Sequence, residues 1–120
     1  MSVFNFQGGA ADPIIKKITA NTVTDIVDAT LGAVRVPWFA VGENNGGTPN
    51  LTVEIYDGTT SFYLTAASLL WNARAMTAKQ GVLFDAGYVI PLGSKLRVTS
   101  SDASGRMDVT GVTILNAPTT

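Results

Sequence analysis

The 120 residues of this chain include neither histidine nor cysteine, which leaves carboxylates, hydroxyls, amides and the basic side chains as the groups available for chemistry. Histidine is the usual general base near neutral pH and the commonest transition-metal ligand. Its absence removes Ser-His-Asp, Cys-His and His-metal arrangements, and the lack of cysteine removes thiolate nucleophiles, disulfides and Cys-based metal sites. Asp25 and Asp28 lie three positions apart and raise the possibility of a paired-carboxylate acid and base. On a strand and its following turn, the same two residues simply face solvent. Glu43 with Asn44 and Asn45, Asp57, and Asp102 with Asp108 form oxygen-rich stretches of the kind that hold Ca²⁺. None has the EF-hand spacing, and Asp and Asn serve equally as turn formers. "GENNGG" is glycine-rich but lacks the Lys-Ser/Thr and the helix start of a phosphate cradle. No catalytic residue, metal ligand or cofactor site is therefore expected. The remaining small-molecule possibility is aromatic. Among Trp38, Trp71, Tyr56, Tyr63 and Tyr88, the pair Tyr56 and Tyr63 falls on the polar phase of one hairpin, where a sugar or a neighbouring protein could stack.

That hairpin is the clearest element in the chain. In "LTVEIYDGTTSFYL", Leu51, Val53 and Ile55 share one side of an extended strand and Thr52, Glu54 and Tyr56 the other. Asp57-Gly58 breaks the run, and Phe62 and Leu64 resume the apolar side. "IIKKIT" and "TVTDIV" read as short β-branched strands with Asn21 available as a turn between them; a helix over 14–27 is disfavoured by the threonines and valine at its centre. "AVRVPWFAVG" is apolar on both faces except at Arg35, as expected of a strand covered on two sides, while Pro37 marks an edge or a bulge. Residues 42–50 form a loop. Residues 65–80 are ambiguous between an Ala-rich helix and an extended strand over 70–76 facing "GVLFD". "KLRVTS" alternates with Leu96 and Val98 inward. A tight "LGS" turn precedes it and "SDASG" is expected to close another hairpin. In "RMDVTGVTIL" the apolar phase slips near Gly111, as a β-bulge would make it do.

About eight short strands separated by Gly, Asn, Asp and Ser turns, with at most one short helix, predict an all-β, antiparallel two-layer sandwich of jelly-roll or Ig-like type. The expected organisation is an extended N-terminal arm over 1–12, a sandwich over 13–116 and a short tail over 117–120. Only 14% of residues are charged, against about a quarter in a typical domain, and 8 basic residues against 9 acidic leave a net charge of -1. The longest basic run is Lys16-Lys17, so no nucleic-acid partner is expected. No apolar run is long enough to span a bilayer, and "MSVFNFQGGAADP" lacks the basic and apolar regions of a secretory signal, so neither membrane nor export is expected. The low charge favours burial of surface in an assembly.

The run "NTVTDIV", "AVRVPWFAV", "LTVEIYDGTTSFYL", "GYVIPLGSKLRVTSS" and "GRMDVTGVTIL", spanning residues 21 to 115, resembles the small virion accessory proteins of tailed bacteriophages and gene transfer agents. The resemblance implies a β-sandwich that acts by shape and carries no catalytic residue. It implies a capsid decoration or cement protein, assembled in the host cytoplasm and resident in the virion, with the major capsid protein or other virion proteins as partners and a homo-oligomeric state, a trimer among the options. The alternatives are a neck or tail component, or a carbohydrate- or receptor-binding module using Tyr56 and Tyr63. In the arm, Val3, Phe4 and Phe6 precede the hinge Gly8-Gly9 and the extended Asp12-Pro13 step, an arrangement suited to ordering against a neighbour.

Overall fold

The computed structural model describes residues 11–18, 22–101 and 107–115, and every regular element in them is a strand. In chain order these are β1 (Ala11–Ile18), β2 (Val23–Asp28), β3 (Val34–Glu43), β4 (Asn50–Tyr56), β5 (Ser61–Tyr63), β6 (Thr65–Ala66), β7 (Leu69–Leu70), β8 (Arg74–Ala75), β9 (Gly81–Phe84), β10 (Tyr88–Ile90), β11 (Lys95–Ser100) and β12 (Met107–Leu115). The first sheet runs β1-β12-β3, with β9 and β10 both pairing with β3; the second runs β2-β11-β4, with β5 and β8 both pairing with β4. All pairings are antiparallel. The first strand thus pairs with the last, the second with β11, β3 with β9 and β10, and β4 with β5. A long hairpin rolled up so that β12 meets β3 and β11 meets β4 has this order. It is a jelly roll, which resolves the choice between jelly-roll and Ig-like forms.

The "SDASG" loop therefore has a different job from the hairpin closure expected of it, and the "LGS" turn shares that job. "LGS" and "SDASG" do not close hairpins, because β10 and β12 belong to the first sheet and β11 to the second. Each connection carries the chain from one layer to the other; residues 102–106 lie outside the described residues. Val36, Phe39, Val41, Val82, Phe84 and Val109 from one sheet meet Leu51, Val53, Leu96 and Val98 from the other in a single core. The inward phase of β4 and of "KLRVTS" stands as expected, with Ile55 at the margin of the core; Phe62, expected on the apolar side with Leu64, is instead exposed, because it lies on the short outer strand β5.

β3 carries the main irregularity. Its pairing with β12 steps from Trp38↔Val112 to Arg35↔Ile114, three residues on β3 against two on β12. The extra residue lies at Val36-Pro37, so Pro37 marks a bulge in a central strand and not an edge. β10 pairs with β3 at residues 34–36 and β9 at residues 39–42. The missing N–H of Pro37 falls in the gap between them. No bulge lies in β12 at Gly111: the apolar pattern slips there because Val112 and Ile114 face outward. β12 itself keeps its phase through Gly111, which pairs with both Ile14 and Phe39. A Cβ on Gly111 would lie 2.7 Å from the Phe39 Cβ and from the Trp38 carbonyl oxygen, so the close seam of β12 on β3 requires glycine here.

Residues 65–80 contain no helix. β6 and β7 form a small hairpin whose two-residue turn, Ala67-Ser68, has φ of 53° and 63°. Such positive values at non-glycine residues are those of a strained primed turn, and they interrupt the helical phase that the alanines would otherwise favour. β8 pairs with β4, not with "GVLFD", which joins β3 as β9. Trp71 anchors the hairpin. It is buried, its indole N–H donates to the Ala66 carbonyl (3.1 Å), and its ring meets Phe84 edge-on at 6.4 Å. Phe84 in turn stacks on Phe39 at 4.6 Å.

Candidate functional site: two unlike outer faces

A sandwich buries one side of each sheet and leaves the other outside. The outer face of the second sheet reads across its strands as Asp28, Lys95, Tyr56 and Ser61 in one row and Asp25, Arg97, Glu54 and Tyr63 in the next. Asp25 and Asp28 share this face because a bulge in β2 turns both Ile26 and Val27 inward, restoring the phase that an odd spacing would lose. They are not a free carboxylate pair. Arg97 Nε donates to Asp25 Oδ1 (3.0 Å), and Lys95 Nζ lies 3.4 Å from Asp25 and 3.9 Å from Asp28. The Arg97 guanidinium also covers the Tyr56 ring at 4.2 Å, the Tyr56 hydroxyl donates to the Gly58 carbonyl (2.9 Å), and Ser61 Oγ donates to Glu54 (2.6 Å). Tyr56 and Tyr63 do occupy one face in diagonal positions, as expected, but the Tyr56 ring is engaged by its own sheet.

The other aromatics are dispersed. Trp71 is in the core; Tyr88 lies on the inward phase, 5.8 Å from Phe39, where burial pushes its hydroxyl above the ordinary value. Trp38 is on the opposite outer face. They form no common platform.

The oxygen-rich loops are consumed internally. The Glu43 carboxylate is buried at the end of β3 and accepts backbone N–H groups from Lys79 (2.9 Å), Asn45 (2.8 Å) and Gly46 (2.8 Å). The Lys79 N–H chiefly, with those of the "GENNGG" loop, holds its carboxyl below the ordinary value of 4.5. That loop does cradle an anion, and the anion is its own glutamate. Asp57 caps the β4-β5 turn through the N–H groups of Thr60 (2.7 Å) and Thr59 (2.9 Å), which lower it likewise. Asp108 accepts from Asn44 Nδ2 (2.6 Å). Asp102 lies outside the described residues, and among the described residues no three acidic side chains converge on a metal position.

The outer face of the first sheet is different in kind. Its rows read Ile15, Thr110, Ala40 and Leu83; then Pro13, Val112 and Trp38; then Ala11, Ile114, Arg35 and Val89. Ile15 is 78% exposed, Val89 54%, Leu83 52% and Trp38 39%. Charge appears only at the ends, at Arg35 on one side and at Lys17 and Asp108 on the other. The sequence marked β3 as covered on both faces, and the sandwich covers one. This apolar face was legible in β3 but not in β1, β9 and β12, whose single apolar residues acquire meaning only when the register aligns them. The arm residues Val3, Phe4 and Phe6 lie outside the described residues.

No protein-family model matches this chain, and no curated protein does. Three solved structures that resemble it are phage capsid proteins. A pentameric capsid protein from metagenomic phage sequences is 23% identical over 94% of this chain and 68% of its own, with a TM-score of 0.50. A second structure of such a protein is 22% identical over 94% of this chain, with a TM-score of 0.49; the chain spans 63% of its length. The capsid asymmetric unit of cyanophage Pam1 is 18% identical, covering 98% and 92%, with a TM-score of 0.48. At these identities the likeness is one of fold, a β-sandwich shared with the pentameric capsid protein.

Proposed function

We propose that this chain is a structural protein of a phage virion, a decoration or cement subunit that packs as a homo-oligomer against the capsid shell and works by covering surface, not by catalysis. The observation that carries this reading is the apolar outer face of the first sheet. A monomer surrounded by water would leave Ile15, Trp38, Leu83 and Val89 partly uncovered, and completing their burial is worth about 25 cal/mol for each Å² of apolar surface removed from water. The second sheet's outer face, with its ions paired to one another, is suited to solvent. The sandwich shared with a pentameric capsid protein supports the same reading, as does the sequence resemblance to virion accessory proteins.

The test is to mix the purified chain with empty shells of a major capsid protein from the same genome, and to sediment both alone and together. An oligomer at tens of micromolar that pellets saturably with shells is expected. A monomer that stays in the supernatant would overturn the proposal, and an oligomer that leaves shells bare would overturn its capsid role.

A further inference from the structure

Resting on the self-association in that reading, we propose that the outer face of the first sheet is the docking site for residues 1–10 of a second copy of this chain, with Phe4 and Phe6 seated over the rows that hold Leu83 and Trp38. Three features converge on this occupant. The first is chemistry: "MSVFNFQGGA" contains Val3, Phe4 and Phe6 and no charged residue, matching a face whose charges are confined to its ends. The second is attachment, because the segment joins the fold at Ala11, the first residue of β1, the strand that borders this face. The third is reach. Ten residues extend to about 33–36 Å, whereas four strands span only about 15 Å across.

Direction selects a neighbour over the chain's own face. β1 is already extended at Ala11, and Asp12 is held extended by Pro13. A chain continued along that line would travel about 17 Å in five residues and 24 Å in seven, past the end of the sheet. A return to their own face would require reversal within Gly8-Gly9-Ala10. On the proposal, a straight continuation would bring both rings to an adjacent copy, whose arm would do the same in turn, so that the contact would propagate head to tail into a closed ring or a lattice.

The absence of cysteine makes the test clean. Phe4→Cys and Leu83→Cys chains, prepared separately and mixed under mild oxidation, are expected to give a mixed disulfide dimer in several-fold excess over Phe4→Cys mixed with Thr99→Cys, which lies on the other outer face. Equal yields would overturn the proposal. So would a double Phe4→Cys, Leu83→Cys chain that closes its disulfide within one molecule at high dilution, since the arm would then cover its own sheet. Sedimentation separates the two levels of inference. A chain lacking residues 2–9 is expected to keep its melting temperature and lose its oligomer. If it stays oligomeric and no mixed dimer forms, the docking falls and self-association stands; if the full chain is monomeric, both fall.

Discussion

The two outer faces of this sandwich rest on the same core and on sheets of matching layout, three long strands with two short ones on the third, yet one is knit together by ions and hydroxyls and the other is bare hydrocarbon. On the second sheet, Asp25, Lys95, Arg97, Tyr56 and Glu54 all find partners within the face. On the first, Ile15, Leu83 and Val89 have large exposed areas and no polar neighbour across the strands except Thr110 and Arg35. Fold stability does not need this asymmetry, because what holds the layers together lies between them. The difference teaches that the outer faces are the part of the molecule free to record what the protein meets.

The comparison presumes a common core, and the largest expected effect tests that. Val53→Asp buries a carboxylate between the layers, at a cost of several kcal/mol against a total stability of about 5–15, so circular dichroism should show an unfolded chain. Tyr63→Ala, on the outer side of the same hairpin, should melt like the parent. Next comes the seam behind the apolar face. Gly111→Ala forces β12 off β3 and is expected to cost about 1–3 kcal/mol in denaturant titration, with self-association weakened as the rows lose alignment.

Below this lies a dependence on pH. The Glu43 carboxyl is held below its ordinary value in the folded state, so its contribution is present above about pH 4.5 and is lost as pH falls through the lower folded value. The melting temperature should therefore decline from pH 5 toward pH 3, and Glu43→Gln should flatten that part of the decline. The smallest stability effects are the most informative about the faces. Arg97→Ala should cost at most about 1 kcal/mol and leave self-association intact. Leu83→Ser should change monomer stability by no more than about 0.5 kcal/mol while abolishing the oligomer seen by sedimentation. If the two exchanged effects, the assignment of the faces would be reversed.

Strand alternation was legible wherever one side met the core, as in Leu96 and Val98 against Lys95, Arg97 and Thr99. The two-faced apolarity of β3 was legible too. What the residues could not convey was which strand lies beside which. A Gly-Ser turn has the same chemistry whether it closes a hairpin or carries the chain to the other layer, so the hairpin expected of "SDASG" does not form. The change of apolar phase at Gly111 suggested a bulge in β12, whereas that strand runs regularly along β1 and places Val112 and Ile114 on the outer face; the bulge is in β3, at Val36-Pro37. Glu43 gave no local sign of its role, since its largest stabilising contact is a backbone N–H 36 positions away. The outer-face rows depend wholly on register.

Pairing the first strand with the last has a consequence in time. Ile14 meets Gly111, so the first sheet cannot close until nearly all of the described chain has left the ribosome. At about 5–20 residues per second, β3 waits seconds for β12 with both apolar sides uncovered. Loop closure over such a separation is slow, and folding of a barrel-like sandwich takes milliseconds to seconds even once synthesis ends. The surface on which copies would meet therefore does not exist on a nascent chain. It comes into being only with β12 in place, which confines association to finished subunits and leaves the interval before that as the one in which a chaperone would matter most.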